Sequence, residues 1–281
     1  MIDLHSHSTM SDGTDPPRRV VELAAEAQLS ALALTDHDTL DHLPAARAAA
    51  DGVGVRLVAG CEISCELGNR APGSMHLLVF FVDDASGELQ DRLRELQAAR
   101  NARNVQIVEA LNAHGVPITL DAVRAQAGPG SVGRPHIARV LMEEGYVSSI
   151  QEAFDVWLAK GRPAYFERDR LTPEDAIELT HASSGVCAIA HPLSLGLADD
   201  ALDEFVGDLA AARLDALECE YGAYDPELRA PLNELAARHG LAPTGGSDYH
   251  GENKPGLSVG TGRGDLHVPD EYLDELESRR P

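Results

Sequence analysis

Two histidines with one residue between them stand near the start of the chain, in the stretch L-H-S-H-S, and Asp12 follows five residues after the second. Residues i and i+2 of an extended segment share a face, so we expect His5 and His7 to point the same way. Imidazole nitrogens with a nearby carboxylate are typical ligands of a transition-metal ion. The same stretch also fits an edge strand whose histidines face water, and by itself it does not decide between the two interpretations.

The rest of the chain repeats this pattern of titratable residues at the ends of apolar segments. T-D-H-D, G-C-E, A-H-P and G-S-D-Y-H each close a strand candidate, whereas His76 stands at the start of one. If each of these imidazoles and carboxylates were structural, each would need its own buried partner, whereas one shared metal cluster satisfies them together. In barrels of parallel strands, the carboxyl ends of the strands form the active-site rim. The candidate ligands are His5, His7, Asp12, His37, Glu62, His76, His191, Asp248 and His250.

The number and type of these ligands indicate more than one ion. A hydrolytic zinc site uses three protein ligands and an open position, so nine ligands divide among three ions when one carboxylate bridges. The donors are nitrogen and oxygen with no thiolate, a set that suits zinc, manganese or iron. We therefore predict three divalent transition-metal ions.

Composition excludes several classes of protein. The formal net charge of -23 argues against a surface for long duplex nucleic acid, and it suits a protein that retains cations and binds a small anionic substrate through metals and local arginines. No apolar run approaches the roughly 18 residues of a membrane span, and the N-terminus lacks a signal-peptide pattern, so we expect a cytoplasmic protein with no membrane partner. The cysteines lack C-x-x-C spacing and are expected to be reduced core residues, namely Cys61, Cys65, Cys187 and Cys219.

Seven apolar segments with helical stretches between them predict an α/β fold, either a barrel or an open doubly wound sheet. The strand candidates are 2–7, 31–37, 56–64, 75–82, 185–191, 215–221 and 242–250. Between residues 84 and 165 the alternation gives way to helical stretches alone. We therefore assign 1–83 and 166–281 to the α/β unit that carries the metal site, and 84–165 to a helical insertion that covers the site.

Taken together, H-S-H, T-D-H-D, G-C-E, A-H-P and G-S-D-Y-H resemble the motifs of the PHP (polymerase and histidinol phosphatase) family, and they run from residue 5 to residue 250. The resemblance implies a distorted (β/α)7 barrel with a trinuclear metal centre. It implies one ion held by His5, His7, Glu62 and Asp248, a second by Asp12, His37 and His250, and a third by Glu62, His76 and His191. Of these ligands, His191, Asp248 and His250 are expected to take part in catalysis. Asp12 stands where other members carry histidine, and an acidic ligand there favours manganese, with iron or zinc as alternatives.

The insertion carries a second group of candidate residues, in R-N-A-R-N (100–104) and G-R-P-H (133–136). These stretches resemble the bacterial members that act on nucleotides, particularly the 3′,5′-nucleoside bisphosphate phosphatases. Arg134 offers a bidentate fork for phosphate with His136 beside it. Arg100, Arg103 and Asn104 are expected to supply further donors, although R-N-A-R-N taken alone fits a solvated helix face better.

Two patterns are set aside. G-P-G-S-V-G (128–133) matches the glycine spacing of dinucleotide-binding loops but does not follow a strand in a β-α-β unit, so we predict a loop between insertion helices. The remaining histidines are expected at the surface, namely His42, His114, His181, His239 and His267.

Three functions are compatible with these features. The expected function is that of a metal-dependent phosphatase, which removes the 3′-phosphate of nucleoside 3′,5′-bisphosphates by direct attack of an activated water; the choice of the 3′ position follows from the resemblance. A 5′-end-directed exonuclease acting on short RNA or DNA oligonucleotides shares the same metal chemistry. A non-catalytic, metal-stabilised binding module is the third, and the complete set of candidate ligands argues against it.

Overall fold

The structure of the chain is a computed structural model that describes residues 1–82, 87–127 and 130–281. Its strands are β1 Ile2–Asp3, β2 Ala31–Leu34, β3 Arg56–Cys65, β4 Met75–Phe80, β5 Val186–Ile189, β6 Ala216–Tyr221 and β7 Ala242–Gly246. Its α-helices are α1 Pro17–Glu26, α2 Leu43–Val53, α3 Glu88–Ala113, α4 Leu120–Ala127, α5 Arg134–Glu143, α6 Ile150–Ala153, α7 Pro173–Ala182, α8 Asp199–Ala211, α9 Pro226–Arg238 and α10 Asp270–Ser278.

The strands form a single seven-stranded sheet in chain order, and the sheet curls round until its first strand meets its last. The Leu4 N–H donates to the Gly245 carbonyl over 3.0 Å, and the Asp248 N–H donates to the His5 carbonyl over 2.8 Å. These bonds join the end of β1 to the end of β7. The predicted distorted α/β barrel is therefore confirmed, and the open doubly wound sheet is excluded.

One strand runs against the predicted direction. β4 pairs antiparallel with both β3 and β5, whereas the other paired strands are parallel. Only residues 66–74 connect β3 to β4. A parallel crossover needs about a dozen residues or more, so this short connection forces a hairpin. The hairpin places the amino end of β4 at the same rim as the carboxyl ends of the other strands, which brings His76 there.

The barrel interior is filled mainly by small side chains around a few large ones. Residues in alternate positions of each strand point inward, and those from several strands form a buried cluster with Phe80 as its largest member. Leu273 and Leu276 of α10 join this cluster and close the end of the barrel opposite the rim. On β3, Val58 belongs to the same cluster, and Glu62 stands four residues later on the same face. The strand period therefore directs the Glu62 side chain into the mouth of the barrel.

The helices α3 to α6 lie between β4 and β5, within the segment 84–165 that was assigned to an insertion. The first half of α3 packs on the barrel side, through Leu89, Leu93 and Leu96. Its second half packs in a separate core with α4 and α5, to which Ile107 and Leu111 contribute. α3 therefore connects the barrel to a helical unit with its own hydrophobic core.

Several smaller expectations can be compared with the structure. All four cysteines are buried and free, as predicted. His114 and His267 are exposed, but His42 is fully buried with Nδ1 3.2 Å from Asp36 Oδ2, so its assignment to the surface is wrong. His181 and His239 are partly buried, each against an aspartate.

The structure also bears on two further predictions, the loop at residues 128–133 and the absence of a membrane span. Residues 130–133 form a loop before α5, as predicted, with the Ser131 N–H donating to the Met10 carbonyl, while residues 128–129 lie outside the described part. In the part of the chain that the structure describes, no helix has the length and apolarity needed to span a bilayer.

A buried carboxylate, Asp3, holds the closed barrel together at the seam. It accepts hydrogen bonds from the N–H groups of His5, Ser247 and Gly260 over 3.2, 2.9 and 2.7 Å. Asp3→Ala leaves these buried donors unsatisfied, each at about 1–3 kcal/mol, so we expect it to lower the free energy of unfolding by about 3 kcal/mol or more. Urea denaturation measures the change, with exposed Asp274→Ala as the matched control. A loss below 1 kcal/mol would contradict this role for Asp3.

Candidate active site

The barrel rim brings together all nine residues that were predicted as metal ligands. They come from the loop after β1, the ends of β2, β5 and β7, the inward face of β3 and the start of β4. Each belongs to at least one group of three or more side chains whose ligand atoms lie within 4.8 Å of one another. The nine are His5, His7, Asp12, His37, Glu62, His76, His191, Asp248 and His250.

The first set of side chains surrounds one small space at the mouth of the barrel. The Nε2 atoms of His5 and His7 are 3.2 Å apart. Glu62 Oε2 lies 3.4 Å from the first and 3.1 Å from the second. Asp248 Oδ1 lies 3.3 Å and 3.4 Å from the same two nitrogens. These four donors are the set that the family resemblance implies for one ion.

The other two implied sets are also assembled. Asp12 Oδ1 is 3.2 Å from His250 Nε2, and its Oδ2 is 3.7 Å from His37 Nε2. Glu62 Oε1 is 2.9 Å from His76 Nδ1 and 3.0 Å from His191 Nε2. Glu62 therefore presents one oxygen to each of two neighbouring sets, which is the arrangement expected of a bridging ligand.

The hydrogen bonds behind the histidines fit metal binding. His5 Nδ1 lies 2.8 Å from Glu218 Oε1, and His191 Nδ1 lies 2.9 Å from the Ser194 hydroxyl. A proton on these outer nitrogens leaves the lone pair of each Nε2 directed into the rim, as is typical of metal-bound histidine. His37 Nδ1 is buried and makes no hydrogen bond with any described residue. The residues present therefore fit divalent transition-metal ions.

The electrostatics of the rim also favour cations. Burial alone would raise the pKa of the Glu62 carboxyl, but the rings of His37, His76 and His5 hold that pKa well below its usual range. Burial likewise opposes ionisation of Asp12, and His250 and His37 lower its pKa well below the usual value. The rim thus holds buried, ionised carboxylates, and such charges need paired cations in a medium of low dielectric.

Sequence reasoning missed three residues that support the rim. Glu218 holds His5, and its other oxygen accepts a hydrogen bond from the His191 N–H. Tyr221 donates its hydroxyl to Asp248, and Lys254 forms an ion pair with the same carboxylate. Only Glu218 had a signal in the sequence, as a charged residue inside the apolar strand D-A-L-E-C-E-Y.

A cavity of about 720 Å³ opens beside the rim, lined on one side by Asp12, His37 and His76. Its other side is lined by five arginines that we call the arginine cluster: Arg100, Arg103, Arg134, Arg168 and Arg170. Three of them were predicted to bind substrate, and all three lie in the insertion. Arg168 and Arg170 were missed because they follow the insertion in a stretch, F-E-R-D-R-L, that resembles an ordinary solvated segment.

Asp38 connects the arginine cluster to the metal rim. It follows His37 directly, is fully buried, and its Oδ2 pairs with Arg100 and, over 2.8 Å, with Arg168. Its Oδ1 accepts the Ser64 N–H over 3.0 Å. Burial opposes ionisation of Asp38, but these two guanidiniums lower its pKa, so the carboxylate stays charged between them.

Arg134 is held in place by neutral groups. Its Nη1 donates to the Leu158 carbonyl over 3.1 Å, and its guanidinium lies 5.8 Å from the Phe154 ring centre and 5.7 Å from that of Tyr165. Burial lowers the pKa of Arg134, and the nearby Arg170 lowers it further. Among the described residues no carboxylate pairs with this guanidinium, so its charge remains available to an anion.

Two of the predicted substrate-binding residues, Asn104 and His136, lie outside the cavity. Arg103 lines the cavity, but Asn104 and His136 do not. Asn104 accepts a hydrogen bond from Arg103 and donates one to the Val132 carbonyl over 2.8 Å. His136 Nδ1 accepts the Gly133 N–H over 2.9 Å at the start of α5. These two side chains therefore position the cluster from behind, and the view of R-N-A-R-N as a solvated helix face is wrong because Arg100, Arg103 and Asn104 are all buried.

The guanidiniums of the arginine cluster repel one another. Burial lowers the pKa of Arg103 to about 8, and the charges of Arg100, Arg134, Arg168 and Arg170 contribute to the decrease. A negatively charged ligand would relieve this repulsion through charge-assisted hydrogen bonds. A rim of candidate metal ligands beside a cavity lined by guanidiniums is an arrangement suited to hydrolysis of a phosphoester.

Comparison with known proteins agrees with this chemistry. Residues 3–158 match the model of the PHP domain family. The chain is 34% identical over 252 residues to a 5′-3′ exoribonuclease Rnm of Salmonella typhimurium, covering 89% of this chain and 85% of that protein. It is 32% identical over 260 residues to a 3′,5′-nucleoside bisphosphate phosphatase of Chromobacterium violaceum, covering 92% of this chain and 90% of the relative.

A solved structure shares the whole architecture. A Bifidobacterium adolescentis protein, proposed to be a metal-dependent phosphoesterase, superposes with a TM-score of 0.85 at 32% identity, covering 100% of this chain and 96% of its own. The family match, these relatives and the geometry of the rim lead to one conclusion: the chain belongs to the PHP domain family and is a metal-dependent phosphoesterase.

Proposed function

We propose that the protein removes the 3′-phosphate from nucleoside 3′,5′-bisphosphates, leaving the 5′-monophosphate. The observation that carries this proposal is the position of the arginine cluster in a cavity that shares His37 and His76 with the metal rim. A nucleotide with two phosphates can place one at the rim and the other among the arginines. The Chromobacterium violaceum relative, which bears the name of this activity, supports the proposal.

The residues of the rim would hold divalent ions, in the three sets described above, with manganese favoured over iron or zinc because Asp12 supplies an oxygen ligand. Bound there, such ions supply an activated water near neutral pH and stabilise charge on phosphoryl oxygens. Glu218 and Ser194 keep His5 and His191 in the tautomer and orientation that ligation requires. Asp248 and His250 complete the rim from β7, and with His191 they are the proposed catalytic residues.

The arginine cluster acts on the part of the substrate that does not react. By holding the 5′-phosphate, it fixes the nucleotide so that the 3′-ester lies at the rim, and binding energy from a remote group is thereby used for orientation. No protein nucleophile is required. Ser6 lies between two of the ligands, but its hydroxyl donates to the Ala33 carbonyl over 2.8 Å and is directed away from the rim.

A second candidate function, 5′-3′ exoribonuclease activity, is favoured by the Salmonella typhimurium relative that bears this name. The 5′-terminal nucleotide of RNA presents the same two groups, a 5′-phosphate and a 3′-phosphoester. The net charge of -23 opposes contact with a long polyanion outside the cavity, so short oligonucleotides fit this function better than long RNA.

One comparison tests the proposal. Phosphate release from adenosine 3′,5′-bisphosphate is measured beside shortening of a 5′-phosphorylated RNA oligonucleotide and of its 5′-hydroxyl counterpart, all with manganese-loaded protein. We expect release of the 3′-phosphate with adenosine 5′-monophosphate as the nucleoside product. Absence of release, with shortening of the 5′-phosphorylated oligonucleotide, would replace phosphatase by exonuclease as the main function.

Because nine nitrogen and oxygen donors converge at the rim, we expect the purified protein to carry two to three transition-metal ions and to lose activity on chelation. Asp248→Ala removes a carboxylate from the first set and should eliminate about one ion and nearly all turnover. Metal analysis with activity assays checks both, and exposed Asp274→Ala is the control. An active preparation with less than one ion per chain would rule out the multinuclear site.

Arg134→Ala removes charge-assisted contacts to the non-reacting phosphate, which are worth about 1.5–3 kcal/mol. We expect KM for adenosine 3′,5′-bisphosphate to rise about ten- to a hundredfold. Hydrolysis of an aryl phosphate, which lacks the second phosphate, should change far less. Equal losses on the two substrates would place Arg134 at the reacting phosphate instead.

A further inference from the structure

The arginine cluster divides into two parts, of which the first adjoins the metal rim. Arg100 and Arg168, which we call the inner pair, share the carboxylate of Asp38. Asp38 follows His37 in the chain, and its Oδ1 accepts the N–H of Ser64 at the end of β3. The inner pair is thus fixed beside the rim, and one of its two positive charges is compensated.

The second part consists of Arg103, Arg134 and Arg170, which we call the outer trio. Across residues 1–82, 87–127 and 130–281, none of the three forms an ion pair with a carboxylate. Arg134 is held by aromatic rings and a carbonyl, and Arg103 donates to the Asn104 side-chain oxygen over 2.9 Å. Neutral groups thus orient Arg134 and Arg103, and no carboxylate of the described residues compensates the three charges that line the cavity.

Two members of the outer trio, Arg103 and Arg170, each follow a member of the inner pair along the chain, in a direction that leads away from Asp38. Arg103 follows Arg100 by three residues on α3, a rise of about 4.5 Å along a helix that leads from the barrel core to the insertion core. Arg170 follows Arg168 by two residues and precedes Leu171, which pairs with Cys65 beyond Ser64. Both steps lead away from Asp38, so the cavity offers two successive groups of donors in one direction.

The charges of the cluster exceed those of one phosphate. Five guanidiniums and one buried carboxylate leave four positive charges, whereas a phosphate monoester brings about 1.5 to 2 negative charges. Asp12 also lines the cavity, but it belongs to the rim and pairs there with His37 and His250. Glu66 and Glu167 line it too, but both are exposed, where water screens them, and Lys160 opposes them. Unpaired charges on one buried guanidinium, Arg103, and two half-buried ones, Arg134 and Arg170, are unfavourable, so a ligand with more than one phosphoryl group matches the cluster better.

We propose that the inner pair and the outer trio form two adjacent phosphoryl subsites, so that the preferred 5′ substituent of the substrate is a diphosphate. This inference rests on the proposed 3′-phosphatase function and extends it. The inner pair binds the phosphoryl group next to the ribose, and the outer trio binds the terminal one. Arg134 lies near both Arg100 and Arg170 and contacts both phosphoryl groups. The reaction is unchanged: water cleaves the 3′-ester, inorganic phosphate leaves, and the nucleoside 5′-diphosphate is the product.

The test compares kcat/KM for 3′-phosphate release from adenosine 3′-phosphate 5′-diphosphate and from adenosine 3′,5′-bisphosphate, with manganese-loaded protein at equal free manganese. We expect a ratio of about ten or more, expressed mainly in KM. Arg170→Ala should bring the ratio close to one, because it removes a donor for the terminal group. Arg162→Ala, an exposed arginine outside the cavity, is the matched control and should keep the wild-type ratio.

Further variants and products make each outcome decisive. Arg103→Gln should reduce the ratio as Arg170→Ala does, and it replaces that variant if the latter does not fold. A wild-type ratio of one or less on both mononucleotide and oligonucleotide substrates, or a ratio that both variants leave intact, overturns the two subsites, while release from the bisphosphate still supports the proposed function. Release from neither substrate overturns the proposed function itself. Cleavage of the 5′-anhydride, seen as loss of the terminal phosphate, places the diphosphate at the rim and also overturns the assignment.

A second arm distinguishes the two sources of a 5′-diphosphate. The same ratio is measured for shortening of RNA oligonucleotides that carry a 5′-diphosphate or a 5′-monophosphate. A preference on the mononucleotide alone assigns the subsites to free nucleotides. A preference on the oligonucleotide alone assigns them to RNA ends, and no preference on either overturns the proposal.

Discussion

Glu62 is a buried carboxylate whose two oxygens face imidazole rings from four other strands of the barrel. A charge in this position is tolerated only if cations or protonated rings surround it, because burial strongly disfavours an unpaired carboxylate. The strands must therefore bring these five rings to the same height in the mouth of the barrel. The closure of the sheet, the direction of β4 and the positions of the strand ends all serve to meet this one requirement.

Hydrogen bonds outside the rim hold the histidine rings in the positions that the buried Glu62 carboxylate requires. Glu218 points from the inward face of β6 and holds both the His5 ring and the backbone of His191. Asp36 accepts from the Ser11 hydroxyl, which lies 3.3 Å from His7 Nδ1. Support of this kind fixes tautomer and ring angle, and it makes the rim a rigid site even though its ligands are spread over most of the chain.

Asp38 lies at the boundary between a region of negative charge and a region of positive charge. The rim concentrates carboxylates, whereas the adjoining cavity concentrates guanidiniums, and Asp38 lies between the two, next to His37. By pairing with Arg100 and Arg168, it draws the insertion and the segment after it towards the end of β2. In a protein with a net charge of -23, this local positive field can attract an anion that most of the surface repels.

The sequence by itself predicted the seven strands and the meeting of the nine rim residues, whereas the choice of a barrel over an open sheet came from the resemblance of its motifs to the PHP family. Runs of apolar residues mark buried strands, and titratable residues at their ends leave few alternatives to a shared site. The antiparallel direction of β4 also follows from the sequence once the strand ends are known, because residues 66–74 are too few for a parallel crossover. Apolar runs and the residues at their ends are properties of short segments, so they can be recognised without knowing how distant segments pack.

Tertiary structure alone decided the partners of charged residues. Arg168 and Arg170 resemble surface residues in sequence, and only the return of the chain beside β3 turns them towards Asp38 and the cavity. His42 looks equally ordinary, yet packing buries it against Asp36. The reason is that the sequence shows which side chains are charged but not whether water or another side chain compensates each charge. Which of the two does so depends on segments far along the chain, and those meet only when the barrel closes and the insertion packs against it.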